Sequence, residues 1–455
     1  MKYVTKTKTK DKKTWVLMFV GMVIFKLSTE WGYYALLSVD TITYPVSFNI
    51  FKYFNGWLWC VLLFAGIRHN SRKVSVFMLY LTYITQIIPM TCVYALANDS
   101  AAFYNLTCFA FLFCEIVCSE IFNKITWKWP KWLTNIMIAG FVAILIYLLG
   151  IIVLKNGLPG FTALNIYNVY DLRSSAVFSL NKYDNYLLTW MMAAILPFLL
   201  ANSINHKKYI LSFVLSGIIF ILYLYTGHKS YLFSIPLVII CSVWMRREMA
   251  YKELFIVASF CFALLVLLSS FSPIFQNGFE EIYSLLGRRT MMVSAVNKFK
   301  YYDFFSDNPK MGLAGIFPRW LIPISNPYEG ETIGKIIADI YYNKPEMNSN
   351  TGFLAEGYMR FGYIGIFVGL GIYAAILRLL DRMQIRAGYG LTVSIFIYPV
   401  FTLTDAHLMD SLILGPWMIL LIIAILYRTS DIKKYSISAN KIKNDRVFER
   451  YEKGS

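Results

Sequence analysis

Charge is scarce in this chain. Only 15% of its residues are Asp, Glu, Lys or Arg, against about 25% in an average soluble domain. That shortage excludes an ordinary water-soluble globule of this size. The complement is apolar: 58% of residues are hydrophobic, with a mean hydropathy of +0.54. Runs of about 20 such residues suit helices that cross a bilayer, because a helix satisfies its own backbone in lipid.

Metal-binding and redox motifs are also missing. The seven cysteines (60, 92, 108, 114, 118, 241 and 261) all fall inside apolar runs, none in a CxxC pair, and no histidine stands near enough to suggest zinc. They read as buried, inert thiols. No internal repeat is apparent. A cleavable leader is not expected either: the first apolar run, Trp15 to about Ser38, is too long for a signal-peptide core and lacks a small-residue cleavage site, so it should remain as the first span.

The pattern reads as an all-α polytopic membrane protein with about 12 transmembrane helices. The expected spans are 15–38, 48–67, 74–96, 103–121, 132–154, 186–201, 209–225, 230–244, 253–272, 358–378, 389–404 and 411–427. The short loops 39–47, 97–102 and 405–410 contain no Lys or Arg, only Asp40, Asp99, Asp405 and Asp410. The alternate loops hold Arg68, Arg72, Lys73, Lys124, Lys128, Lys131, Lys207, Lys208, Arg246, Arg247, Lys252, Arg378, Arg382 and Arg386. Lysine and arginine accumulate on the cytoplasmic side, which puts both basic termini inside; Lys229, in a tight turn, is the exception. The formal charge of +17 is thereby explained by topology and by attraction of the tails to anionic membrane lipids, with no nucleic acid required.

Two longer segments then fall on the outer face. One is 155–185, between the spans of a 1–272 membrane region. The other is 273–357, which precedes the spans of 358–427 and the basic tail 428–455. Segments this long in a compact protein are functional or disordered, and the second is too rich in Tyr, Phe, Trp and Ile for disorder. Gly278–Tyr302 reads as one or two amphipathic helices at the membrane interface, and Thr332–Ile340 as another short helix.

Arg173, Arg288, Arg289 and Arg319 are arginines on the side that topology disfavours, so they ask for an anionic partner. A guanidinium suits a diphosphate, although pairing with Glu280, Glu281 or a lipid phosphate would also place them there. Lys229, in Thr226-Gly227-His228-Lys229-Ser230, either binds phosphate or snorkels to headgroups. Glu356 stands one turn before Arg360. It either accepts a proton from a sugar hydroxyl or, paired with Arg360, closes a helix start. Asp171, Asp303, His407 and Asp410 are weaker outer-face acid or base candidates. Lys26 and Glu30, four apart inside the first span, and Glu115 inside the fourth read as structural or pathway-lining. Tyr301-Tyr302-Asp303-Phe304-Phe305 offers rings that could stack on sugars.

The tract Phe304-Phe305-Ser306-Asp307-Asn308-Pro309-Lys310-Met311-Gly312-Leu313, then Asn350-Thr351-Gly352 and Glu356-Gly357-Tyr358-Met359-Arg360-Phe361-Gly362-Tyr363-Ile364-Gly365, resembles the bacterial O-antigen and capsule repeat-unit polymerases of the Wzy type. The resemblance implies a C-type (GT-C-like) glycosyltransferase architecture with two enlarged extracytoplasmic loops, in the bacterial cytoplasmic membrane. It implies polymerisation of undecaprenyl-diphosphate-linked oligosaccharide units without cofactor or metal, and a chain-length regulator and a flippase as companions. Arg173, Arg288 and Arg289 lack the glycine eleven positions later found in some members, so diphosphate binding carries over only as a general expectation. A polysaccharide ligase of the same fold is the nearest alternative. A flippase for lipid-linked oligosaccharide should instead show internal repeats or paired broken helices with central charges. An O-acyltransferase should hold a histidine deep in a span, and the four here (69, 206, 228 and 407) lie in loops or at span ends. A non-catalytic membrane scaffold is the bland alternative.

Overall fold

The computed structural model describes residues 2–67, 72–119, 129–157, 160, 180–247, 250–271, 276–317, 322–328 and 330–428. Among these residues the secondary structure is helical throughout. In chain order the helices are α1 (Lys13–Leu37), α2 (Ile50–Gly66), α3 (Val74–Leu96), α4 (Ala101–Cys118), α5 (Lys131–Asn156), α6 (Lys182–Asn205), α7 (Tyr209–Thr226), α8 (Lys229–Trp244), α9 (Ala250–Phe271), α10 (Gln276–Tyr283), α11 (Val293–Asp307), α12 (Ile333–Tyr342), α13 (Phe353–Ala387), α14 (Tyr389–Thr402), α15 (Leu408–Ile413) and α16 (Pro416–Leu426).

Among the described residues, eight of these helices (α1, α3, α4, α5, α6, α7, α9 and α13) are long and apolar enough to cross a membrane. The chain is thus an all-helical membrane protein. The other four expected spans correspond to the shorter apolar helices α2, α8, α14 and α16. Six of the seven cysteines are buried, as expected of inert thiols; Cys261, on α9, is exposed.

The chain forms two compact units. The first comprises Met1–Asn123, Trp244–Arg378 and Phe396–Met418; the second comprises Lys124–Val243, Leu379–Ile395 and Ile419–Ser455. In the second unit, the Tyr427 hydroxyl meets Asn202 and Thr134 bonds the Leu426 carbonyl at 2.9 Å.

In the first unit, the loops expected to share one face do meet. Ser47 and Asn49 donate to the Leu96 and Ala95 carbonyls at 2.7 and 3.0 Å, Phe103 stacks on Tyr302 at 5.0 Å, and Ser294 bonds the Thr404 carbonyl. At the opposite end, the Arg72 guanidinium caps the Met245, Arg246 and Arg247 carbonyls at 3.0 to 3.2 Å. Within this unit, the non-basic loops thus meet one another, and Arg72 meets the basic 245–247 turn away from them. The intramembrane pair Lys26 and Glu30 is mutually satisfied, with the ammonium 4.1 Å from the Trp57 ring.

Two features depart from simple spans with an interfacial loop. α10 and α11 are joined by the π-helical stretch Ser284–Met292 into one helical run. Instead of resting on a surface, its 294–299 stretch is buried on every side. α13 is also not one rod, because Phe361 (φ −132°) and Gly362 (φ +62°) break it. The left-handed value at 362 suits glycine alone.

The piece 353–360 folds back along 363–373. A Cβ on Gly357 or Gly365 would run into the other's carbonyl, Gly369 lies beside Phe353 and Gly357, and the Phe353 and Tyr373 rings are 4.9 Å apart. Small residues permit this close backbone approach, as between membrane helices generally. Tyr373 in turn meets Thr82 at 2.8 Å, in the interior of α3. The start of the folded-back piece, at Asn350-Thr351-Gly352, therefore reaches well inside the bundle. There it meets the end of α14: Phe353 N–H points at the Leu403 carbonyl, and Gly352 abuts the Leu403 and Thr404 carbonyls.

Candidate functional site

Two broken helices meeting inside a bundle leave backbone ends to be satisfied, and the chain supplies charged side chains there. Glu356, on the re-entrant half of α13, is 0% exposed. Its carboxylate accepts from Leu408 N–H (2.6 Å), Met409 N–H (3.0 Å) and Asp410 N–H (3.3 Å), and from Arg360 Nε (3.2 Å). Glu356 thus caps α15, an arrangement that both the helix dipole and the free N–H groups favour.

Arg360 is also buried, at 1% exposed. Its remaining donors go to the Gly312 carbonyl (2.9 Å), the Ala314 carbonyl (2.8 Å) and Asp410. The Phe304–Leu313 and Glu356–Gly365 tracts of the sequence thus meet at one guanidinium.

Asp410 is shared between Arg360 and His407, whose Nδ1 lies 2.8 Å from its second oxygen. Burial works to raise the Asp410 carboxyl, but His407 and Arg360 outweigh it and hold it below the usual range. Burial would lower His407, yet its bond to Asp410 and the nearby Glu356 and Asp410 charges leave it above its ordinary value. The imidazole is 23% exposed, and Nε2 is not used in the Asp410 bond. This is an oriented acid–base group of the carboxylate–imidazole type.

Glu356, His407 and Asp410 also bring ligand atoms within 4.8 Å of one another, a donor set a divalent ion could use. The Arg360 guanidinium already bonds both carboxylates, so their charge is compensated by the protein itself. The cluster reads as an ion-paired network.

Arg288 and Arg289 are exposed on the π-helical stretch. Arg288 donates to Ser284 Oγ at 2.9 Å and stands near Tyr44. The Arg289 charge reaches Asp405, whose carboxyl burial raises while Lys298 and Arg289 pull it down. Lys229 opens α8 in the second unit, half-buried, after Gly227 at φ +63°. Arg173, Asp171 and Arg319 lie outside the described residues.

The structure therefore brings Glu356, Arg360, His407 and Asp410 into contact and sets Arg289 toward the same 403–410 segment. Of the Tyr301–Phe305 rings, Tyr301, Phe304 and Phe305 are core. Tyr302 is half-buried, with its hydroxyl 3.0 Å from that of Tyr363.

Lys298 has no counterpart among the sequence candidates. It lies wholly buried on α11 and bonds the Thr404 carbonyl at 3.2 Å. Its neighbour Lys300 looks equivalent in sequence, and only the path of α11 into the bundle separates them. No protein-family model, curated protein or solved structure matches the chain.

Proposed function

We propose that the protein is a membrane-embedded glycosyltransferase that polymerises undecaprenyl-diphosphate-linked oligosaccharide units into a surface polysaccharide, at the outer face of a bacterial cytoplasmic membrane. One observation carries the reading. Arg289, of the exposed pair Arg288 and Arg289, acts on Asp405 in the segment that holds an oriented His407–Asp410 dyad, whose Nε2 is not used in the Asp410 bond.

In this reaction a sugar hydroxyl attacks the anomeric carbon of a lipid-linked unit. A new C–O bond forms as the bond to the diphosphate oxygen breaks, and the diphosphate leaves with that electron pair. Arg288 and Arg289 stabilise its charge, a preorganised electrostatic contribution. His407 Nε2 accepts the hydroxyl proton, in the role the sequence suggested for Glu356. Glu356 and Arg360 are positioning residues, since their polar atoms are spent on α15 and on the 312–314 turn. Holding both lipid-tethered reactants against one segment makes the encounter an oriented one.

A second reading has support of its own. Half-helices meeting inside the bundle also occur in transporters, where they surround the substrate site, so a flippase for the same lipid-linked units is the alternative. A ligase shares the chemistry. Deleting the gene in its host and inspecting the surface glycan separates the three. A polymerase mutant displays single repeat units and a flippase mutant displays none. A ligase mutant accumulates long chains on the lipid carrier. Long surface chains in the deletion strain would end the polymerase reading.

A further inference from the structure

The transfer scheme leaves one buried cation without a task. Lys298 Nζ donates to Ser294 Oγ (2.6 Å), Ser294 O (3.3 Å) and Thr404 O (3.2 Å), and the side chain is 0% exposed. Stability alone is a poor reason for it to be there. Ser294 already donates to the Thr404 carbonyl, and burying an ammonium costs far more than a second bond to that oxygen returns. In the adjoining turn, Ser349 Oγ and Thr351 Oγ1 are buried with no hydrogen-bond partner among the described residues. The charge set against Lys298 is Asp405, the residue after Thr404, and Arg289 from the same helical run faces Asp405 as well. α12 reaches this region through Tyr342, whose hydroxyl bonds Asn297, and the 349–352 turn through the Asn350 carbonyl.

We propose that Lys298 is a positioning residue of the transfer site. Its ammonium holds the Thr404 carbonyl beside the Asp405 charge and so fixes where His407, three residues on, stands relative to Arg289. Arg360 and Glu356 hold the same segment from its far side, at 408–410. The 404–410 segment is therefore anchored at both ends by buried cation contacts, with His407 between them. Burial brings the Lys298 ammonium down to about 7, so the charge on this anchor is lost as pH rises through neutrality and its bonds weaken to those of a neutral amine, whereas the Arg360 charge is permanent.

This inference rests on the transferase reading, and its test separates the two. Full-length protein in phosphatidylethanolamine–phosphatidylglycerol vesicles is given undecaprenyl-diphosphate-linked repeat units, and elongation is followed across pH. In parallel, without substrate, carbethoxylation of His407 is quantified by residue-resolved mass spectrometry. Wild-type elongation should rise as His407 loses its proton and fall again as Lys298 loses its own, at about 7, giving a bell-shaped profile. Lys298→Met should lose that alkaline limb, with kcat lower on the order of a hundredfold, KM within about twofold, and His407 labelling changed severalfold. Lys298→Arg should restore kcat and move the limb upward. Asp405→Asn, which leaves Lys298 in place, should move it downward because a charge that favours the ammonium is gone. A folded Lys298→Met protein with wild-type kcat, pH profile and His407 labelling overturns the proposal, as does a limb that Asp405→Asn leaves in place. If the wild type elongates nothing while Lys298→Met still alters His407 labelling, the transferase reading fails and the positioning role stands.

Discussion

Arg360 is 1% exposed and gives its guanidinium to Glu356, Asp410 and two carbonyls of its own chain, whereas Arg288 and Arg289 stand exposed on the π-helical stretch. All three were candidates for substrate binding, Arg288 and Arg289 as arginines where topology disfavours them and Arg360 as the neighbour of Glu356. The difference teaches that charge placement identifies where an anion is needed but not whose anion it is. For Arg360 the anions are internal. For the pair, among the described residues Asp405 is the carboxylate shown to act on Arg289, and Arg288 meets Ser284 and Tyr44, which leaves positive charge for a ligand.

The comparison can be broken most directly at Arg360. Arg360→Met leaves Glu356 and Asp410 without their cation and should cost about 3–5 kcal/mol of stability. The expected result is loss of monodisperse protein in detergent and a much reduced yield in membranes. A variant that melts like the wild type would mean the network is not structural.

The double variant Arg288→Ala/Arg289→Ala should show the opposite. Stability should stay within about 0.5 kcal/mol, while elongation of lipid-linked units falls by about 10²–10³. Equal losses of stability and activity would place the pair in the same class as Arg360.

Gly357→Ala probes the hairpin that carries Glu356 and Arg360. Its Cβ would meet the Gly365 carbonyl, a backbone clash with no flexible side chain to give way. About 1–3 kcal/mol of destabilisation is expected, read as a lower melting temperature. Gly371→Ala on the same helix, with open space around it, should be neutral.

The smallest effect concerns His407. Its folded-state pKa lies above the ordinary 6.5, so its pairing contributes stability that is fully present below 6.5 and is lost as pH rises through the folded value. Melting temperature should therefore decline over that window in the wild type, and His407→Gln should flatten the decline. An unchanged slope would show that His407 does not gain from Asp410.

Eight of the expected spans recur as helices of spanning length, because apolar length is a local property. Within the first unit, the meeting of the non-basic loops was legible from charge, because Lys and Arg obey a rule that needs only one-dimensional order. The Glu356–Arg360 pair was legible from its spacing, but the helix start that Glu356 closes is that of α15 and not of its own helix.

What could not be read was the fold-back at Phe361–Gly362. The expected span 358–378 runs straight through the break, with 353–357 in the outer loop, because a single glycine does not announce a reversal. With that hidden, Glu356 looked open to substrate, although it caps α15, more than fifty residues away in sequence. His407 and Asp410 gain weight only through a contact with Arg360 that no spacing encodes. Lys298 was invisible because burial separates it from Lys300.

The fold-back also imposes an order on assembly. The piece 353–360 is about 12 Å long, under half the hydrocarbon thickness of about 30 Å, so insertion machinery has no reason to deliver it across a bilayer. It leaves the ribosome before the 363–373 stretch whose glycine face it lies against. Its docking needs that later segment, and Glu356 reaches the backbone of 408–410 only once α15 has also been made. The acid–base cluster therefore depends on chain synthesised about fifty residues after the piece that carries Glu356 and Arg360. A chain ending before Leu408 holds that arginine and glutamate without Asp410 and without the N–H groups they serve.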